Sequence, residues 1–440
     1  MKGLILTYLL TYGGAAVAVF NPFYGLLVYI AFAVARPDWI WHWVSLPAHQ
    51  SRIVATAMLV GWIGTGFGEL RLGRAKAVTL AFVGYWLWCV ISAGAVAENT
   101  ERALWYIETL AKILLPFLVG ITVIDSVEKL KMLVWTIVVT MGYVALELNN
   151  TYYGGYNRLY FEGFGSMDNN SFSIALVTAT GFAVFLALDV PRWWQKSIAA
   201  MCALLMMNAI FFSFSRGGML ALSIMGLVAF FLVPKRPMHY LMFLGVLLVG
   251  YRLAGQEVVE RFMSTFVDEA QRDTSSQSRL DMWADCWDVM LRYPIFGVGP
   301  ENWGDIAPQY GWPRGKYAHS LWMQTGAEVG FIGLAHLLAF YGLCVLGMWP
   351  LARGRYDQID PELAVIGRMV IASLVGFMIA AQFVSLWGLE LPYYIVLVGA
   401  CALKLSGNPP RQQSFMYYVT APGLPHSPTS PYGRPAAREL

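Results

Sequence analysis

The sequence predicts an all-α polytopic membrane protein, and three observations carry that reading. Its 440 residues are 58% hydrophobic and 13% charged, with a mean hydropathy of +0.54; soluble domains run roughly 45–50% and about 25%. Apolar runs of bilayer-crossing length recur along the chain. Basic residues fall on every second connector between those runs, the pattern of cytoplasmic loops. A soluble fold of this length has no means of covering so much apolar surface, so lipid is its solvent. The composition excludes whole-chain disorder, a disulfide scaffold and a nucleic-acid module. A net charge of +3 is too small to imply a polyanionic partner. The cysteines (Cys89, Cys202, Cys286, Cys344, Cys401) show no CxxC or Cys/His spacing, so no zinc site, disulfide framework or cofactor is expected.

Taken in order, the first 52 residues hold two apolar runs, 4–20 and 22–35, and then the aromatic-rich 38–43, suited to a membrane interface. Two full crossings would put the amino terminus outside; one crossing with a re-entrant piece would put it inside. No small-residue cleavage site follows 4–20, so a cleaved signal peptide is not expected. The spans then read 53–67, 77–97, 103–123, 132–148, 172–189, 198–214, 218–233, 239–254, 322–349, 369–388 and 391–406, about 12 in all and between 11 and 13. Arg71, Arg74 and Lys76, then Lys129 and Lys131, Arg192 and Lys196, Lys235 and Arg236, and Arg353, Arg355 and Arg368 mark the cytoplasmic connectors. The alternate connectors, 98–102, 149–170 and 255–318, face outward. After Lys404 the chain turns proline-rich, a composition that cannot bury a core. The organisation is therefore a transmembrane bundle over 1–254, a large outer loop over 255–318, further transmembrane helices over 319–406 and a disordered cytoplasmic tail over 407–440.

Chemistry is expected in the outer loop. In 278–293 (SRLDMWADCWDVMLRY), Leu280, Trp283, Ala284, Trp287, Met290 and Leu291 recur at helical spacing, with Asp281, Asp285 and Asp288 opposite. This predicts an amphipathic helix lying apolar face down on the outer membrane surface. The aspartates read as a solvated face, since no histidine joins them at ligand spacing. Pro294 ends the helix, and Gly297-Val298-Gly299-Pro300 is a turn that needs glycine backbone freedom.

Arg279 falls at the start of that helix, beside Ser276 and Ser278 as N-caps. A cation is mildly unfavourable there, which makes sense if an anion is shared by the arginine and the free amides. Snorkelling to lipid headgroups is the equal alternative. Arg216, in FSFSRGGM, falls at the outer ends of two spans, where two following glycines allow a sharp turn and leave room for a ligand. An ionisable residue at membrane depth is a functional candidate by default. His319, in YAHSLW, follows the outer loop and begins the span that carries Gln324 and Glu328. Histidine titrates near neutrality and can act as a general base or acid. The other histidines are placed elsewhere: His42 and His49 at the interface, His239 in the cytoplasm, His336 deep in an apolar run and His426 in the tail. Two arginines and a histidine around one outward site suit a pyrophosphate leaving group. Arginine binds phosphate through paired charge-assisted hydrogen bonds and stays charged, while histidine takes the proton of an acceptor hydroxyl.

These residues resemble the O-antigen ligase superfamily of bacterial membrane glycosyltransferases. The resemblance rests on SRGG (215–218), SRLDMWADCWDVMLRYPIFGVGPENW (278–303), AHSLWMQTGAEVGFIG (318–333) and the loop GFGSMDNNSFS (163–173). It spans roughly 80–345. Residues 97–130 and the Asp-Asn-Asn segment look closest to the exosortase-associated O-glycosylation ligase branch. It implies a GT-C-type bundle with one large periplasmic loop in the bacterial inner membrane. It also implies metal-independent, inverting transfer of a glycan from undecaprenyl pyrophosphate to lipid A core, another glycan or a protein. On matching positions, Arg216 and Arg279 would hold the pyrophosphate and His319 would act on the acceptor. Ser215, Asn169, Asn170, Glu328 and Glu390 are further site candidates. Ser320 departs from the family, which often has Asn after the histidine. A Wzy-type polymerase or protein O-oligosaccharyltransferase would use the same donor site. A lipid-linked sugar transporter would show internal repeats and several mid-membrane charges; no repeat is visible, and the embedded charges are mainly Lys112 and Glu147.

Overall fold

The computed structural model describes residues 2–41, 49–233, 274–354, 360–386 and 389–407, with 237–238, 240–241, 244–245 and 248 between them. Most of the expected span 239–254, the loop start 255–273, the tail from 408, and His42, His239 and His426 lie outside the described residues. Nine stretches of the described residues are helical, long and apolar enough to cross a membrane, and two shorter apolar helices join them. The protein is an all-helical polytopic membrane protein; among the described residues the one β feature is an isolated bridge between Phe164 and Met167.

Helices α1 (Lys2–Tyr8) and α2 (Gly14–Phe20) are joined by a π-helical turn, Leu9–Gly13. Asn21 ends this run. Its side chain accepts from the Phe23 amide at 3.2 Å, and Pro22 opens α3 (Pro22–Ala35), which leads to the short α4 (Pro37–Ile40). A Cβ on Gly3 would strike the Trp41 ring, and one on Gly61 the Ala18 carbonyl. The chain start is thus level with Trp41, and α5 (Gln50–Gly64) packs against the other end of α2. That is the arrangement expected for two passes.

There follow α6 (Lys76–Val96), α7 (Thr100–Val123), α8 (Val127–Tyr153), the short α9 (Arg158–Glu162), α10 (Asn169–Asp189), α11 (Trp193–Phe212) and α12 (Arg216–Leu232). After the loop helices α13 (Thr274–Arg292) and α14 (Trp303–Ile306) come α15 (Leu321–Ala352), α16 (Pro361–Ala380) and α17 (Leu391–Ser406). Packing, more than polarity, holds such a bundle together, because lipid competes equally for apolar surface. The core is correspondingly dense: Phe82 lies 5.3 Å from Phe117, 4.6 Å from Phe340 and 5.1 Å from Tyr393, ring to ring.

The run expected to span at 53–67 is the 15-residue α5, which is not among the helices long and apolar enough to cross a membrane, and the structure departs from the expected spans in two further places. The span expected at 369–388 is instead α16, shifted toward the amino terminus, and 381–386 are not helical. Hydropathy alone starts this span after Arg368. The helix begins earlier because its charges are satisfied: Glu362 accepts from Lys131 at 2.6 Å and Arg368 donates to the Ala352 carbonyl at 3.0 Å. The second departure is α15, which is broken at Gly330 (φ 70°, ψ −178°). That break organises the site.

Candidate functional site

One end of the bundle gathers the candidate residues. Around Arg216 the turn is made by Phe214 (φ 54°), while Gly217 and Gly218 are already helical. The glycines serve close approach rather than the turn: a Cβ on Gly218 would meet Ser173 Oγ at 2.5 Å, and one on Gly217 would meet Phe383 Cβ at 3.2 Å. Ser215 is buried and caps α12, accepting from the Gly218 amide at 3.1 Å. Asn169 donates to the Ser213 carbonyl at 2.8 Å, and Asn170 donates to Asn169 Oδ1 at 3.3 Å. The Asp-Asn-Asn segment thereby fastens the start of α10 to the α11–α12 turn.

Arg279 does not sit in a first helical turn. Helix α13 is described from Thr274, which places Ser278 and Arg279 beyond the first described turn; the side chain of Ser276 lies outside those described. The buried face of α13 also differs from expectation. Met282, Cys286, Val289 and Met290 are fully enclosed, whereas Leu280, Trp287 and Leu291 are exposed. The buried set packs on Trp303, Ala307, Ala318 and Ala327, because α13 lies against broken α15. The aspartates are not a bare solvated face: Asp285 accepts from Trp312 Nε1 at 2.7 Å, and Asp288 from the Tyr310 hydroxyl at 2.8 Å.

The turn after α13 is inserted into the α15 break. Phe331 N–H donates to the Pro294 carbonyl (2.8 Å), Val298 N–H to Ala327 (3.1 Å) and Gly299 N–H to Glu328 (2.8 Å). Trp88 Nε1 donates to the Val329 carbonyl at 2.9 Å. Carbonyls freed by breaking the helix are thus satisfied by the loop. Gly297 (φ 65°), Gly299 (φ 99°) and Gly330 (φ 70°) all sit in the left-handed region with backbone or Ala97 against the missing Cβ.

This clamp fixes His319. Trp283 Nε1, one turn beyond Arg279, donates to the Ala318 carbonyl at 2.9 Å. The Trp283 ring lies 6.5 Å from Phe383, the residue that Gly217 touches, and Leu321 N–H donates to the Ala381 carbonyl at 2.8 Å. Segments carrying Arg216, Arg279 and His319 therefore meet around Trp283 and Phe383. His319 holds a strained left-handed backbone (φ 52°), a feature that clusters at functional sites. Its imidazole is pushed down to about 4, first by burial and then by the Arg279 and Lys316 charges, with Asp168 opposing. So depressed, the imidazole is neutral near pH 7, with one ring nitrogen unprotonated. Ser320, next to it, is fully buried and caps α15, accepting from the Met323 amide at 3.3 Å. Ser and Asn are both good caps, so this departure from the family concerns folding.

Among the described residues, neither Glu328 nor Glu390 is a hydrogen-bond partner of His319. Glu328 is buried, accepts from Gln324 Nε2 at 2.9 Å and faces Glu301. Gln324 in turn accepts from the Ala318 amide at 3.2 Å and the Ser385 hydroxyl at 2.5 Å. Burial raises the Glu301 carboxyl above its ordinary range. Glu390 opens α17 and accepts from the Tyr394 hydroxyl at 2.5 Å. Sequence reading missed Asp168, Lys316 and Phe383, and named Gln324 without giving it a role. Asp168 stood inside the quoted Asp-Asn-Asn motif; the others carry no local signal. Lys112 forms an exposed pair with Glu108 at 2.8 Å, not a buried one.

Residues 201–338 match the family model described as O-antigen ligase. The match runs from α11 into α15 and includes Arg216, Arg279, His319 and the helix break. It supports the O-antigen ligase superfamily and, in general terms, a glycosyl-transfer activity. A comparison with curated proteins finds no match.

Proposed function

We propose that this protein, as a member of the O-antigen ligase superfamily, transfers a glycan from undecaprenyl pyrophosphate to an acceptor hydroxyl. The observation that supports it is the convergence of a neutral His319 with Arg279, each within the other's electrostatic field, at one end of a membrane bundle. Arg279 and Arg216 hold the pyrophosphate and neutralise the charge that grows as the bond to sugar C1 breaks. The acceptor oxygen forms the new bond to C1, its proton passes to His319, and undecaprenyl pyrophosphate leaves from the opposite face. A single displacement of this kind inverts the anomeric centre and needs no metal. Asn169, Asn170 and Ser215 support the arginine turn, and Glu328 supports the clamp. The site end faces the periplasm of a bacterial inner membrane, in a GT-C-type bundle of about 12 spans with its cytoplasmic tail beyond residue 406.

The test uses purified protein, undecaprenyl-pyrophosphate glycan and three acceptors: lipid A core, a second lipid-linked glycan and a Ser/Thr-containing protein. Mass spectrometry should show glycan added to one acceptor, with His319→Ala giving none. The absence of covalent product on all three, or full product with His319→Ala, would contradict the proposal.

A further inference from the structure

His319 is held in a strained backbone state from both sides. Its φ of 52° is unfavourable for a residue with a Cβ and persists only where the surroundings over-determine it. On the carboxyl side, Leu321 N–H donates to the Ala381 carbonyl at 2.8 Å, and Ser320 caps α15. On the amino side both backbone polar groups of Ala318 are engaged. Its carbonyl accepts from Trp283 Nε1 at 2.9 Å, and its N–H donates to Gln324 Oε1 at 3.2 Å.

Gln324 is itself fixed at both ends of its amide. A backbone N–H can only donate, so the amide oxygen is the atom that faces Ala318. That oxygen accepts a second hydrogen bond from the Ser385 hydroxyl at 2.5 Å, and the amide nitrogen, turned the other way, donates to Glu328 Oε1 at 2.9 Å. Three of the four hydrogen bonds an amide can make are therefore formed, to Ala318, Ser385 and Glu328, on a residue only 5% exposed. A buried amide so committed has one orientation, and leaving its partners unpaired is costly. The Arg216 turn does not depend on it. That turn is held separately, by Asn169 on the Ser213 carbonyl and by the Ser215 cap.

We propose that Gln324 is a positioning residue for the proton acceptor: its amide, oriented by Glu328, holds the Ala318 peptide and with it the left-handed backbone that aims His319 at the acceptor hydroxyl. The inference rests on the transfer reading above and ties Gln324 to the proton-accepting step, not to donor binding. The experiment measures kcat, donor KM and thermal unfolding in detergent, with the acceptor that gives product with the wild type. Gln324→Met keeps an unbranched side chain and removes all three hydrogen bonds. Its kcat should fall about a hundredfold, the loss expected when a reacting group is misplaced by roughly 1 Å, with donor KM unchanged. Gln324→Glu shares a proton with Glu328, because two buried carboxyls in contact do not both ionise. It thereby restores an acceptor oxygen toward Ala318 and a donor toward Glu328, and should recover kcat to within about fivefold of the wild type. Ser385→Ala takes one hydrogen bond from the same oxygen and should lower kcat about fivefold. Wild-type kcat in Gln324→Met, a rise in donor KM as large as the fall in kcat, or no recovery in Gln324→Glu would overturn the inference and leave the transfer reading intact. Should Gln324→Met fail to fold, wild-type kcat in Ser385→Ala would overturn it equally. No transfer by the wild type would overturn the transfer reading, and this inference with it.

Discussion

Gly297→Ala tests the clamp that places Arg279 relative to His319. Gly297 has φ 65°, and an added Cβ would lie 2.6 Å from the Ala327 carbonyl oxygen and closer still to the Glu328 carbonyl. Neither is the end of a flexible side chain, so the turn must withdraw from the α15 break. Left-handed alanine costs about 1–2 kcal/mol. The Val298–Ala327 and Gly299–Glu328 hydrogen bonds lost with the docked turn contribute about 1 kcal/mol each. The clamp should therefore weaken by ~3–4 kcal/mol. Because α13 runs directly into the turn and is anchored through it, Arg279 shifts relative to His319, and a misplacement of about 1 Å is enough for a roughly hundredfold loss of rate. Gly311→Ala is the control, since Gly311 has φ 86° with open space around its Cβ position; it isolates backbone strain. Glycan transfer and thermal unfolding in detergent are read together. Gly297→Ala should lose transfer and stability while Gly311→Ala keeps transfer. Wild-type transfer by Gly297→Ala would refute the clamp.

Three further outcomes follow from the same geometry. Arg279→Gln should raise the His319 ionisation above about 4 but not fully to 6.5, because burial, the larger cause, persists; NMR titration of labelled histidine checks this, and an unshifted value would separate the two residues. His319 is depressed relative to its unfolded value, so its neutral form is favoured and the stabilisation is complete above pH ~6.5 and lost as pH falls toward 4. Discounted for solvent screening, that is ~2 kcal/mol, and His319→Gln should flatten the acid limb of stability against pH; an unchanged limb would show that His319 is not its source. Ser320→Ala should cost about 1 kcal/mol of stability through the lost cap, and Ser320→Asn should restore it with transfer intact, both read from melting and product formation.

The fold class and most helices were legible in the sequence because lipid demands long apolar runs, and those runs survive any packing. Span ends were less so: Glu362 and Arg368 look like loop charges until Lys131 and the Ala352 carbonyl are seen to satisfy them. Arg216, Arg279 and His319 were singled out from residue type and placement, and the structure gathers their segments around Trp283 and Phe383. What the glycines do was only partly legible. Gly217 and Gly218 read as turn and space residues, and Gly297 as a turn residue, which its φ of 65° bears out; that each of the three, and Gly330 as well, also has another element's atoms against its Cβ position is something only tertiary contact reveals. The roll of α13 was misread for the same reason, since its deepest face includes Met282 and Cys286, which pack on a protein surface and not on lipid.

The most direct measurement is the ionisation of His319 by NMR with and without bound undecaprenyl-pyrophosphate glycan. If Arg279 holds the pyrophosphate beside His319, the donor's negative charge offsets the field that depresses the imidazole, and its pKa must rise from about 4 on binding. An imidazole that titrates at the same pH with saturating donor would place the pyrophosphate elsewhere and contradict the account.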